Sequence, residues 1–426
     1  MSESLDRRQF FKIGAGAVVV VGLGACTRDS STGTTASSAV PGSTVDDGVA
    51  PVTTPPPTTT APAATSMLAG RRLVVVQLNG GNDLLNTLPP TDGRYHDLRP
   101  TLALPDSDVL ALSGVADMGL HPSLAPISRF WDAGRLAVIR GIGFEVPNRS
   151  HFVSMDRWWR ADELTQPGWL GRVLDSLPGE PPPLFATALG GGAPLLDGRE
   201  VRATVITSPS SFRWVDIEPA WLAQMGEGGD DLAGLARHAL RRTVQAVADF
   251  AEITDGDAVA DDLPTREGGA SITEGLDVAA QMLAADVGTQ LVVVSAGGFD
   301  THAGQLPIHA DLLADLAGGI DAFFTAVDAA GMADDVLLVV TSEFGRRAAE
   351  NGSGGCDHGA GGASFAVGAP VRGGVFGEVD LGDLLDGDVR PSVAPHALFT
   401  RCLDWLGVDA EQILGRRDDS LDLLRR

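Results

Sequence analysis

The chain is almost without lysine. Lys12 is the only one, so every other fixed cation is an arginine, and the 31 basic residues face 56 acidic ones for a formal net charge of −25. Polyanion binding needs clustered Lys and Arg to displace counterions, so this balance excludes a nucleic-acid partner. Cysteine is scarce as well. Beyond Cys26 only Cys356 and Cys402 occur, which leaves open one disulfide or two separate thiols. The apolar run Ile13–Ala25 is far shorter than the ~20 residues that span a bilayer. No internal repeat occurs, and no second break in composition follows Leu68.

What the N-terminus does hold reads as an address. Arg7 and Arg8 precede Phe10, Phe11 and Lys12, and the apolar run then ends in "LGAC". Paired arginines before such a run resemble a twin-arginine signal, whose export machinery carries proteins already folded. "LGAC" resembles a lipobox, which makes Cys26 the acylated first residue of a lipid-anchored, extracytoplasmic protein. Residues 1–26 are therefore expected to be a twin-arginine lipoprotein signal peptide. Residues 27–68, rich in Ser, Thr and Pro, have too little apolar surface to offset their ordering entropy and are expected to form a disordered tether. With 44% hydrophobic residues over 426 positions, the remainder, 69–426, can bury a sizeable core as one large domain.

That domain opens with a strand-length apolar run, Leu73–Leu78, and similar runs occur in "RLAVIRGIG", "QLVVVSAGG" and "DVLLVVTSEFG". Continuous apolar runs suit strands covered on both faces. Between the last two, Leu313, Leu316, Ile320, Phe323 and Val327 follow helical spacing. The fold class expected is α/β, a large mostly parallel central sheet with helices on both faces.

Three of these strands lead through glycine or small polar residues to a carboxylate: Asp83, Asp300 and Glu343. Ligands of open parallel sheets sit beyond the carboxyl ends of the strands. Three acids delivered there repel one another unless a cation lies between them. His302 lies two residues after Asp300, and Asp357 with His358 sits on the glycine-rich stretch "NGSGGCDHGAGG". Carboxylate oxygen with imidazole nitrogen suits zinc, manganese or iron better than calcium, so one or two divalent metal ions are expected on Asp83, Asp300, His302, Glu343, Asp357 and His358.

The segments "LNGGNDLLNTLPP", "GLHPSLAPI", "PNRSHFVSMDRWW", "GWLGR", "GGFDTHAGQ" and "TSEFGRRAAENGSGGCDHGAGG", in this order, resemble the exported bacterial family catalogued as domain of unknown function 1501, which is similar in fold to the alkaline phosphatase and sulfatase superfamily. The resemblance implies an alkaline-phosphatase-like domain in which Asp83 opens the metal site and Asp300 with His302 forms the later Asp and His pair. In "TSEFG", Phe344 stands where many relatives have histidine, with Asp357 and His358 reading as a displaced copy of that pair. It further implies a hydroxyl nucleophile at a helix start, for which Ser150 is the candidate and Ser154 the rival, with capping of the helix by Ser150 as the structural alternative. Arg149, Arg346 and Arg347 become candidates to grip an oxyanion, and His121 and His151 to line the pocket or carry protons. Trp158, Trp159 and Trp169 suit sugar stacking or core packing. The function implied is an exported metal-dependent hydrolase of phosphate or sulfate esters. The alternative is a non-catalytic metal-containing protein that binds or assembles the cell envelope.

Overall fold

The computed structural model describes residues 67–192, 194–207, 212, 231–254, 271–285 and 287–425. The signal peptide, the lipidation site Cys26 and nearly all of the tether lie outside these residues. Leu68, placed at the end of the tether by composition, is already buried at 3% exposure and packs into the folded core.

The strands in chain order are β1 Arg72–Leu78, β2 Leu110–Ala111, β3 Gly119–Leu120, β4 Leu136–Ile142, β5 Ala186–Leu189, β6 Thr204–Ile206, β7 Leu291–Ala296, β8 Val336–Ser342, β9 Gly362–Val367 and β10 Gly374–Phe376. Eight of them form one sheet in the order β10, β4, β9, β8, β1, β7, β5, β6, while β2 and β3 make a separate antiparallel pair. Only β9 runs antiparallel to its neighbours within the large sheet.

The apolar runs are continuous because both faces of the sheet are covered. Along β1, Val74, Val76 and Leu78 enter one core together with the helices Ile272–Ala284 and Gln305–Ala329. Leu73 and Val75 enter the other, with Trp158, Trp169 and Phe399 from the helices His151–Arg160, Trp169–Ser176 and Pro395–Leu406. Burying each such Val or Leu contributes about 1.5–3 kcal/mol, and with both sides covered every position of the strand counts. The five apolar positions at helical spacing all fall in Gln305–Ala329 and are all buried.

The strands flanking that helix do not pair with each other. Between β7 and β8 lies β1, parallel to both, with Leu78 level with Ala296 on one side and Ser342 on the other. The loops leaving three adjacent strands therefore start side by side at one edge. Their close contact constrains Gly80, whose φ is +122° and where an added Cβ would lie 2.3 Å from the backbone nitrogen of Asp300. Gly80→Ala is expected to destabilise the domain by about 2 kcal/mol or more, from left-handed strain plus a backbone clash. Urea unfolding against wild type measures this, and a loss near zero would show that the two loops separate freely.

Candidate functional site

Four elements meet at the carboxyl edge of the sheet: the loop after β1, the loop after β7, the turn from β8 into the glycine-rich stretch, and the first turn of the helix His151–Arg160. The glycines let backbones touch. At Gly355 a Cβ would fall 2.3 Å from the carbonyl carbon of His302, so the glycine-rich loop lies directly on the residue after Thr301.

Asp300 is the pivot. Its Oδ1 lies 2.6 Å from Nη2 of Arg346, 3.1 Å from Nε2 of both His302 and His358, and 3.4 Å from Nε2 of His151. Each imidazole has its other nitrogen directed at an acceptor. His358 Nδ1 donates to the Arg149 carbonyl at 2.8 Å, His302 Nδ1 faces Asp357 Oδ1 at 3.3 Å, and His151 Nδ1 faces Glu343 Oε1 at 2.7 Å. With the proton held on Nδ1, the lone pair of each ring is on Nε2 and points toward Asp300. His302 Nε2 and His358 Nε2 come within 2.9 Å of each other.

Lone pairs converging on a carboxylate repel one another unless a proton or a cation lies among them. His151 Nε2 is buried and has no hydrogen-bond partner. His151, Asp300 and His358 each offer a ligand atom, all within 4.8 Å of one another. Donors of two kinds, imidazole nitrogen and carboxylate oxygen, fit zinc, manganese or iron. The Asp300 side chain is 47% exposed and that of His302 42%, so the cluster opens to solvent.

Electrostatics tune the cluster from within. Burial pushes Asp300 upward, but the hydrogen bond and charge of Arg346 outweigh it and hold the carboxyl below its usual range. The hydrogen bond to Glu343 raises His151, against the opposing effect of burial. Asp357 is lowered, first by its hydrogen bond from Asn351.

The remaining expected ligands are placed differently. Glu343 is nearly buried; it accepts from Gly80 N–H at 2.8 Å and from Ser342 Oγ at 3.1 Å, and it holds His151 from behind, outside the ligand cluster. Asp83 also stands apart. Its Oδ1 caps the helix Leu84–Thr87 at Leu85 N, 3.0 Å, and its Oδ2 meets Arg99 Nη1 at 2.6 Å and Gln305 Nε2. Both residues were expected as ligands because strand-end acids look alike in sequence; nonlocal donors separate them. Asp357 reaches the cluster through His302.

The expected oxyanion grips are also engaged. The Arg346 guanidinium is fully buried and donates to the carbonyls of Gly80, Gly81, Phe299 and Cys356 besides Asp300. Arg149 pairs with Asp388 and Asp386, and Arg347 binds the Asp386 carbonyl. His151, expected beside the nucleophile, belongs to the cluster itself. Ser150 is exposed at the helix start and its side chain makes no capping bond, whereas Ser154 is buried with Oγ on the Asn148 carbonyl at 2.6 Å. Trp158 and Trp169 are core residues, and Trp159 donates to Gln77 at 2.8 Å. Cys356 and Cys402 are both buried and free.

Arg99, Gln305 and His309 were not singled out in the sequence, yet Arg99 and Gln305 hold Asp83, and His309 sits against its neighbour Asn82. His309 is buried, with Nε2 2.9 Å from Asn82 Oδ1. His121 caps a 3-10 helix through Nδ1 to Ser123 N, 3.1 Å.

Fold and site together define an α/β protein with a cluster of His and Asp side chains, open to solvent on one side, at the carboxyl edge of a mostly parallel sheet. The family model described as "Protein of unknown function (DUF1501)" matches residues 160–422, and the chain belongs to that family. The match includes Asp300, His302, Glu343 and His358 and begins after His151. No curated protein matches the chain. Among solved structures it is similar to a protein of the alkaline phosphatase superfamily from Vibrio parahaemolyticus, at 11% identity and TM-score 0.39, covering 83% of this chain and 71% of that one. It is also similar to the lipoteichoic acid synthase LtaP from Listeria monocytogenes, at 9% identity and TM-score 0.35, covering 84% and 78%. A phosphonate monoester hydrolase from Silicibacter pomeroyi shows 9% identity and TM-score 0.35, covering 82% and 78%. Likenesses this distant assign no activity to the chain.

Burial of His309 pushes its pKa down to about 4 from 6.5. The unfolded chain takes up this proton near 6.5 and the folded chain only near 4, so stability present above the upper value is lost as pH falls through that window, on the order of 3 kcal/mol in all. His309→Gln is expected to remove about half of the slope of the stability profile between these limits, because burial lowers His121 to about 4 as well. An unchanged slope in thermal melts across that range would show that His309 is not its source.

Proposed function

We propose that the chain is an exported, metal-dependent hydrolase of phosphate or sulfate esters. The observation that carries this reading is the convergence of three imidazole Nε2 atoms on Asp300, each ring oriented by an acceptor at Nδ1. His151, His302, His358 and Asp300 would hold the ion, which when bound supplies Lewis acidity toward an oxyanion and lowers the pKa of a hydroxyl. Ser150 is the candidate nucleophile, because its hydroxyl is free of capping duty, exposed, and adjacent in the chain to His151. The amino end of the helix His151–Arg160 adds partial positive charge where an anion would dock.

Export by the twin-arginine machinery and lipid anchoring at Cys26 belong to the same proposal and rest on residues outside the described ones. Among the described residues no helix is long and apolar enough to cross a membrane.

A second reading, a non-catalytic metal-containing protein of the cell envelope, is favoured by one observation. The guanidiniums of Arg149 and Arg346 both have internal partners, leaving neither poised on a substrate oxyanion.

Elemental analysis of the purified full chain, with turnover of 4-nitrophenyl phosphate, bis(4-nitrophenyl) phosphate and 4-nitrophenyl sulfate, separates the readings. Metal in wild type, turnover reduced roughly 10³-fold or more in Ser150→Ala with metal retained, and loss of both in Asp300→Ala are the outcomes expected of the enzyme. Metal without turnover on any ester moves the assignment to the second reading. A metal-free wild type that takes up no added zinc, manganese or iron sinks both.

A further inference from the structure

Given the metal-dependent reading above, on which this step rests, the buried charges limit how many ions the site can take. Asp83 is 1% exposed at its side chain, and its partner Arg99 is 0% exposed. A carboxylate buried this deeply needs compensation, and it has it. Arg99 Nη1 lies 2.6 Å from Asp83 Oδ2. Its other donors reach Asn86 Oδ1 at 2.6 Å, the Ala348 carbonyl at 2.9 Å and the Arg347 carbonyl at 2.9 Å. Asp83 Oδ1 is taken by backbone N–H groups and Oδ2 also by Gln305. Both oxygens of Asp83 are thus taken by donors outside the cluster of imidazoles.

A second guanidinium stands closer in. Arg346, 0% exposed, places Nη2 2.6 Å from Asp300 Oδ1 and Nη1 3.5 Å from His302 Nε2. Every acceptor around it belongs to the loops that form the site, so its charge is held in place by their carbonyls and by Asp300. The formal charges agree. Asp83, Asp300, Glu343 and Asp357 bring four negative charges, and Arg99 and Arg346 bring two positive ones. Arg149 and Arg347 are matched by Asp386 and Asp388. With each imidazole neutral, two negative charges remain, which one divalent cation cancels. A second ion would leave an excess of positive charge in a partly buried site and would find Asp83 already occupied.

We infer that the centre is mononuclear, with the guanidinium of Arg346 standing beside Asp300 where a second cation would otherwise be required, and that of Arg99 doing the same at Asp83. The chemistry available is then that of one divalent ion flanked by a fixed, buried cation.

The test is metal stoichiometry on the full chain, by elemental analysis after dialysis and by calorimetric titration of the apo-protein with zinc and with manganese. One equivalent per chain is expected. Two equivalents at separate or equal affinity overturn the mononuclear inference while leaving the metal-dependent reading intact, and zero equivalents with either ion defeat that reading itself. In Arg346→Gln, with native near-UV circular dichroism confirmed, removal of the positive charge is expected to admit a second equivalent or to tighten the first by about tenfold or more. A folded variant that keeps one equivalent at wild-type or weaker affinity overturns the role given to Arg346. Arg346→Lys, which restores the charge but not the full set of hydrogen bonds, is expected to return to one equivalent, and a second equivalent there counts against the inference as well.

Discussion

The buried guanidinium of Arg346 is the contact on which the site depends. Arginine cannot shed its charge at ordinary pH, so its burial requires that its donors find acceptors. Here the acceptors are carbonyls from the loops after β1, after β7 and within the glycine-rich stretch, together with Asp300. Satisfying one side chain thus ties three loops at a single point. It also selects which carboxylate oxygen faces the imidazoles, because Oδ1 is held by Nη2 and the ring nitrogens gather around that same atom. Loops that look flexible by composition are held there by a nonlocal demand for hydrogen bonds.

Behind this contact lies a second layer with the same logic. Thr301 donates to Gln305, Gln305 to Asp83, and Asp83 pairs with Arg99, whose remaining donors hold the carbonyls of Arg347 and Ala348. The chain of bonds starts next to Asp300 and ends next to Arg346, so the two partners of the central contact are braced from the rear. Phe344 completes the arrangement without any polar atom. Its ring lies 4.9 Å from those of both His151 and His358, limiting rotation of the imidazoles whose Nδ1 partners already set their direction. The position where relatives were expected to carry histidine is therefore used to wedge two histidines that arrive from elsewhere.

The strands, the covered sheet and the clustering of strand-end acids at one edge were legible in the sequence, because each is written in local periodicity and in glycine placement. Asp300, His302 and His358 were legible as a group, since two sit in one short motif and the third on an evidently special loop. The division of labour among the acids was not. Asp83, Asp300 and Glu343 all follow strands, yet Arg99, Arg346 and Gly80 N–H meet them respectively, and no local pattern identifies those partners. His151 was legible as a neighbour of Ser150 that could line the pocket or carry protons, but not as a member of the cluster, which it joins from the first turn of the helix His151–Arg160, whose Trp158 is buried in the second core. The arginines were misread for a related reason. A guanidinium next to a motif looks free until the carbonyls around it are known.

That engagement of the arginines bears on how an anion could approach at all. The molecule carries a formal charge of −25, so its long-range field repels phosphate and sulfate esters. Arg149 and Arg346, both beside the cluster, are compensated by Asp388 and Asp300, which leaves little local field to reverse the repulsion. Under the proposed reading, attraction would come from an ion held among the imidazoles, helped by the amino end of the helix beside it. In that reading binding of metal and of an anionic substrate would be coupled, since the ion that completed the cluster would also create the positive potential at its mouth. An acidic protein can in this way exclude anions over most of its surface and admit them at one loaded site.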